Sequence, residues 1–434
     1  MESRPLVRLT FLIGLLVALA IIAIFQVFGL TTFGTYLAAI PVALGAGICI
    51  TLWVPHIESF TADRSRARRN LESSRLKREF NEKMVQTVPP YLRDIVKSHK
   101  IWAVGPLFEV CSHSHLKDGQ GWTLDQIRPN YIAKPAWIPS RLSSDYERFK
   151  SINKGAPENL ETDLEKIMLV RPPTTLEKHA TFPLDWTSGL YSEMRFFQVR
   201  NGATVGYDNP PDSIRKFRLK PATRRKALRR FALEVLDQDR ITFPASLSIH
   251  CLTVTADEYL VVCWRGAADV AYFPNQWNLT LDENVRLKED YLEPEKKDFI
   301  GNCIVRGLKQ ELVGLTCRES ELLERDKIRL LSCFVEGNLP GVGICAYVPL
   351  RLTREGVEDR VVDRPDKKET RRIDYIPLDD VNWQTLRNPS NFSEGWGWGT
   401  PYALFMLKCF TEGEGFDALP PKDYSFSPKY GVNV

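Results

Sequence analysis

The sequence holds little that would build a fibrous, disordered or disulfide-knit protein. Nine cysteines are scattered over 434 residues, an odd number with no metal-ligand spacing. Reduced thiols in a cytosolic setting are therefore expected. Glycine and proline number 26 and 28, too few for a collagen-like or low-complexity chain. Neither sign of charge is in large excess, since 58 basic and 54 acidic residues leave +4. The length suggests two or three domains. A mean hydropathy of −0.23 looks like that of an ordinary soluble protein, but it is an average over unlike parts. Residues 9–54 are strongly apolar, and the rest of the chain averages about −0.5.

Residues 9–30 read LTFLIGLLVALAIIAIFQVFGL, without a charge and with one polar amide, Gln26. At 1.5 Å per residue this stretch is roughly 33 Å long, enough for the hydrocarbon core of a bilayer. A short TTFGT break follows, and residues 36–54, YLAAIPVALGAGICITLWV, are again uncharged. The pattern predicts a two-span hairpin over 1–56. Arg4 and Arg8 precede it, and Arg64, Arg66, Arg68, Arg69, Arg75, Lys77 and Arg78 follow it. That bias predicts a multi-pass membrane protein with both termini cytoplasmic. Ala39, Ala43 and Gly47 share one face at i, i+4, i+8, where small residues permit close helix packing and self-association. Pro41 would kink the second span.

Residues 57–98 read as a basic helical linker, with Leu76, Phe80 and Met84 four residues apart. Its arginines would lie near anionic lipid headgroups. Residues 99–240 show no long period and form an intermediate region of unassigned fold. Cys111, His113 and His115 stand close together there, but no further ligand pair completes a zinc set. Nine basic residues fall within Arg215–Arg230, among them Arg224 and Arg225. Leu228, Phe231 and Val235 share a face of a helix starting near Thr223. The cluster is either a phosphate-attracting patch or a solvated helix face.

From Phe243 the pattern becomes regular. SLSIHCLTVT and YLVVCWRG predict two strands joined by a tight turn. FIGNCIVRGLKQELVGLT predicts a helix closed by Gly314. IRLLSCFVEG and VGICAYVPL predict further strands, IDYIPLDDVNW follows, and TPYALFMLKCF predicts a last helix. The order implies a compact α+β layer structure over 241–434.

This order resembles the Nudix hydrolase superfamily over roughly residues 241–415. RGLKQELVGL is similar to the family's R-E-U-x-E-E-x-G-U signature, and IDYIPLDDV to its late W-x-P-L-D-E-L segment. The hairpin ending Trp264-Arg265-Gly266 falls where the family has a similar ending. The resemblance implies a Nudix-like α/β/α domain behind a membrane α-helical hairpin. It also implies hydrolysis of nucleoside diphosphate derivatives, with magnesium or manganese held by signature-helix glutamates. Aligned on Arg306, this chain keeps Arg306, Leu308 and Glu311. The family's other helix glutamates fall on Gly307 and Gln310, the upstream one on Asp298, and Gly314 comes one residue late. The signature helix is thus degenerate, with Arg306 and Glu311 as vestigial catalytic candidates. No cofactor is expected unless Asp298, Gln310 and Glu311 make an unusual metal site.

A hairpin ahead of such a domain is similar to the transmembrane–Nudix effectors of bacterial cyclic-oligonucleotide antiphage signalling. That resemblance implies a place in the bacterial inner membrane, a cyclic nucleotide second messenger as ligand, assembly into a homo-oligomer, contact with membrane lipid and membrane disruption. Trp264, Arg265, Tyr272, Trp277, Arg306, Arg224 and Arg225 are the ligand-binding candidates, since aromatic faces and cations suit a polyanion with exposed bases. A tethered hydrolase and a protein-binding adaptor are the alternatives.

Overall fold

A computed structural model describes residues 88–99, 103–104, 107–112, 120–133, 135, 137–152, 165–171, 173, 181–201, 212–237, 240–265, 276–291, 298–337, 341–365, 370–381 and 399–411. These carry one mixed sheet of twelve strands. In chain order the strands are β1 (Ala103–Val104), β2 (Leu107–Ser112), β3 (Ile127–Tyr131), β4 (Glu165–Arg171), β5 (Phe182–Leu190) and β6 (Ala245–Val254). They continue with β7 (Tyr259–Arg265), β8 (Trp277–Leu279), β9 (Leu281–Asn284), β10 (Arg329–Glu336), β11 (Gly341–Pro349) and β12 (Thr370–Pro377). The longer helices are α1 (Pro90–His99), α2 (Ser143–Ile152), α3 (Tyr191–Arg200), α4 (Pro221–Leu236), α5 (Phe299–Leu308) and α6 (Gly399–Thr411).

The sheet is organised around β6. One edge of β6 pairs in parallel with β11 from Leu247 to Val254. The other side is shared along its length: Ala245 and Ser246 meet β4, Ser248–Cys251 meet β9, and Val254 meets β7. Three partners on one strand force the sheet to fork, and β7 goes on to pair with β8 and β12. Beyond β11 the order runs β10, β2, β1; beyond β4 it runs β5, β3.

Alternation along β6 sends its residues to two cores. Ala245, Leu247, Ile249 and Cys251 join the larger core with Phe299, Ile304 and Leu308 of α5. Leu252 and Val254 join a second core with Tyr402, Phe405 and Met406 of α6. The middle of the sheet is therefore covered on both faces, and even the polar Ser246, His250 and Thr253 of β6 are buried. Every residue of α4 placed on one face by periodicity, namely Leu228, Phe231 and Val235, is buried. The expected β6–β7 turn also forms, with Glu258 at φ 65°.

The expected fold and location need correction. Among the described residues no helix is long and apolar enough to cross a membrane. The longest, α4, has 16 residues, about 24 Å against a hydrocarbon core of roughly 30 Å, and its outer face is basic. The stretches expected as spans, with Ala39, Ala43 and Gly47, lie outside the described residues, as do residues 57–87 of the linker. The two-span inner-membrane reading is set aside in favour of the mixed sheet. A self-contained α/β/α layer over 241–434 is also not what forms: β2, β4 and β5, all from earlier in the chain, are integral to the same sheet.

Candidate functional site

The signature-like helix is α5, and its continuation Lys309–Val313 widens into a single π-turn. A π-turn inserts one residue into a helix, which accounts for the late arrival of Gly314. Gly314 closes the element at φ 84° and ψ 156°, a conformation open almost only to glycine. Counting forward from Arg306 puts Glu311 at the second paired-glutamate position; counting back from Gly314 puts it at the first. Either register leaves one carboxylate in the helix.

Arg306 is fully engaged inside the protein. Its Nε donates to Asp290 Oδ1 at 2.8 Å and its Nη2 to Asp290 Oδ2 at 3.0 Å. Nη1 donates to Glu283 Oε2 at 3.0 Å and to Gln310 Oε1 at 3.2 Å, and Nη2 also reaches the Asn284 carbonyl at 3.0 Å. The Asp290 side chain is 0% exposed. Burial alone would lower the Arg306 pKa, but the bonds to Asp290 and the charge of Glu283 outweigh it, so the cation is held protonated. Around this knot Arg286 pairs with Glu289 at 2.8 Å. Buried Lys166 is pulled down to about 8 by desolvation and by the charge of Arg286.

The other acids proposed as metal ligands are also occupied. Asp298 caps α5, accepting from the Gly301 amide at 2.9 Å, and its second oxygen pairs with Arg325. Glu311 is 3% exposed and lies within electrostatic range of the buried Cys251 and Cys263 thiols. Desolvation chiefly raises both thiols, and Glu311 adds to it, Cys263 reaching about 12. Gly307 faces Leu281 so closely that a Cβ would stand 2.5 Å from Cδ1. Among the described residues no group of three His, Cys, Asp or Glu side chains could hold a metal. The described residues around α5 do not fit a divalent-cation site of the family's kind.

The sequence-predicted ligand residues separate into three places. Trp264 and Trp277 meet edge to face at 5.5 Å on β7 and β8, and the Arg372 guanidinium of β12 lies over the Trp277 ring at 5.2 Å. Trp277 is 3% exposed and belongs to the α6 core, against which the half-buried Trp264 packs. Arg265 lies 3.8 Å from Asp282. Arg306 sits in the α5 knot. Arg224 and Arg225 stand on α4, the first half-buried and the second exposed. Tyr272 lies outside the described residues, as do His113 and His115. Arg372 went unnoticed in the sequence because cross-strand pairing with Trp264 brings it there from over 100 positions away.

A second polar cluster was also not foreseen. His250 Nε2 lies 3.0 Å from Ser248 Oγ and 3.4 Å from Asp282 Oδ1. Both contacts fall on one ring nitrogen, whereas a nucleophile relay needs its two partners on opposite nitrogens. The cluster is therefore not a hydrolytic triad. Burial lowers the His250 pKa, with Asp282 opposing and Arg265 assisting. Half-buried Glu336 is pushed up to about 8, by burial first and then by the Asp282 charge. An acid whose folded pKa is raised stabilises the fold most below its unfolded value. That contribution is lost as pH rises from about 4.5 through about 8. Glu336→Gln is expected to flatten the fall in urea midpoint across this window, measured at closely spaced pH values. An unchanged slope would mean that Glu336 titrates normally.

No family model matches this chain, and no curated protein does. Among solved structures, part of it is similar to DR0079 from Deinococcus radiodurans, at 13% identity over 38% of this chain and 83% of that one, with a TM-score of 0.26. Tm1382, a proposed Nudix hydrolase, gives 15% identity over 38% and 72%, with a TM-score of 0.24. A bifunctional NMN adenylyltransferase/ADP ribose pyrophosphatase from Francisella tularensis gives 11% identity over 53% and 64%, with a TM-score of 0.23. Part of the chain thus has a weak structural similarity to Nudix hydrolases.

Proposed function

We propose that this chain binds a nucleotide without cleaving it. The observation that carries this reading is the fate of the acids around α5. Asp298 caps the helix and pairs with Arg325, Glu311 is packed toward the sheet, and Arg306 is saturated by Asp290 and Glu283. Among the described residues no carboxylate set is left to hold a metal-bound diphosphate, and a fold can keep a ligand class after losing its chemistry.

Half-buried Trp264, which pairs across strands with the exposed Arg372, supports base recognition. An indole accepts any base by stacking, and a guanidinium nearby supplies charge for phosphate. A cyclic oligonucleotide combines exposed bases with several phosphodiesters and is the ligand class this reading favours. Binding that couples to self-association would require the ligand to prefer the assembled form.

Calorimetric titration of the full chain with cyclic dinucleotides and trinucleotides tests the reading. Saturable binding is expected, weakened about tenfold or more by Trp264→Ala, in keeping with the stacking energy of one base. Binding to none of these compounds would overturn it. So would magnesium- or manganese-dependent turnover of a dinucleotide that Glu311→Gln abolishes.

A further inference from the structure

The loop entering α4 carries a group of cations whose hydrogen-bonding is incomplete. The Nε and Nη2 atoms of Arg218 are shielded from solvent and meet no acceptor, and the same holds for Nε of Arg224. The loop itself is well anchored. The Arg218 amide donates to the Arg215 carbonyl at 3.1 Å and the Leu219 amide to the Arg200 carbonyl at 2.9 Å. Between them Phe217 is buried against Phe149 and Phe196, at ring distances of 5.7 and 6.1 Å. Two acids on adjoining elements are turned to other partners. Asp94 of α1 faces Arg229 at 3.9 Å, and Glu234 accepts from Arg230 and from Thr242.

Guanidinium N–H groups withdrawn from water without acceptors cost free energy, and like charges brought together add to that cost. Desolvation lowers the Arg218 pKa, and the charges of Arg215 and Arg224 lower it further, in keeping with guanidinium groups packed close together. Beside them Tyr91 of α1 is pushed up to about 12 by burial, against the pull of Arg224. Donors held in place in this way are suited to acceptor oxygens.

We propose that Arg218 and Arg224, backed by the charge of Arg215, form an oxyanion site that takes a phosphate group. A phosphate suits it because each planar guanidinium can donate to two of its oxygens in parallel, and its charge offsets the clustered cations. The site lies on different elements from Trp264 and does not depend on the nucleotide reading above. The exposed Arg225 and Lys226 add a long-range attraction but no fixed contacts.

The test is titration of the full chain with pyrophosphate, followed by the variants Arg218→Gln, Arg218→Lys, Arg225→Gln and Trp264→Ala. Arg218→Gln is expected to weaken binding more than about tenfold, Arg218→Lys to restore part of it, and Arg225→Gln to change it less than about twofold. Trp264→Ala is expected to leave it unchanged, which separates this site from the β7 face. Vesicles containing phosphatidic acid form a second arm. Binding to pyrophosphate marks a soluble phosphate source, and binding to vesicles alone, lost in Arg218→Gln, marks a lipid phosphate. In the absence of either, Arg218→Met is expected to raise the melting temperature by roughly 2–4 °C, because it removes stranded donors. Failure to bind either probe would overturn the proposal. Equal losses in Arg218→Gln and Arg225→Gln would also overturn it, since they would leave only a diffuse positive field.

Discussion

Arg306→Ala is expected to destabilise the protein by about 3–5 kcal/mol, the usual cost of stranding a buried charge. The reason is the company Arg306 keeps. Asp290 is fully enclosed, and both of its carboxylate oxygens accept from the guanidinium. Its second oxygen also accepts from the Arg286 amide at 2.7 Å, which ties the short helix Leu287–Asp290 to the end of β9. Removing the cation leaves Asp290 and Glu283 facing each other in a site from which water is largely excluded. Arg306→Lys is expected to recover only part of the loss, because an ammonium cannot donate along two parallel lines. Arg306→Met combined with Asp290→Asn is expected to cost less than Arg306→Ala alone, since the isolated charge is gone. Urea midpoints of the four proteins decide the matter. If Arg306→Ala kept the midpoint and lost nucleotide binding instead, Arg306 would be a ligand contact and not a structural knot.

The second large effect is at Gly307. Gly307→Ala is expected to cost about 1–3 kcal/mol by overpacking, because the new Cβ would stand 2.5 and 2.7 Å from the two Leu281 methyl carbons and 3.0 Å from Glu283 Cγ. Gly307→Glu is expected to cost more, since it adds a buried carboxylate beside Glu283 and has no cation to meet: Arg306 has already been used. Gln310→Glu, at a half-buried position that already faces Arg306, is expected to fold normally. The signature can therefore be restored at one of its two missing positions and not at the other. Metal-dependent turnover is not expected from Gln310→Glu. Thermal unfolding of the three variants checks the order. A stable Gly307→Glu protein would show that the α5–β9 contact gives way easily.

Much of the fold from Ala245 onward was legible because its strands and helices are local and carry strong periods. β6, β7, α5, β10, β11 and α6 all stand where apolar patterning puts them. α4 was legible from three residues, Leu228, Phe231 and Val235. The region before it was not, because β2, β4 and β5 owe their places to partners far away in sequence: Cys111 of β2 opposes Cys333, and Met168 of β4 opposes Ser246. Strands of six, seven and nine residues carry no period long enough to read alone.

The site was legible in a different way. The sequence shows that α5 lacks glutamates at Gly307 and Gln310, and spacing alone shows Gly314 to be late. It does not show the π-turn that makes it late. Nor does it show that Arg306, a ligand candidate by type, is consumed by Asp290 and Glu283. Asp298 was a weak match in a charged loop, and its place as a helix cap gives it a structural use. The polar clusters on either side of β9 come from adjacent residues, Asp282 and Glu283, that alternate between its faces. Only pairing with β6 reveals that one of them serves His250 and the other Arg306.

The described acids around α5 maintain the fold, and none of them is left to hold a metal over a diphosphate. The most direct measurement incubates the full chain with manganese and ADP-ribose, a nucleoside diphosphate derivative, and resolves the products chromatographically. Intact substrate at enzyme-like protein concentrations, alongside saturable cyclic-nucleotide binding by the same preparation, is the result predicted. Release of AMP that disappears in Glu311→Gln would contradict it.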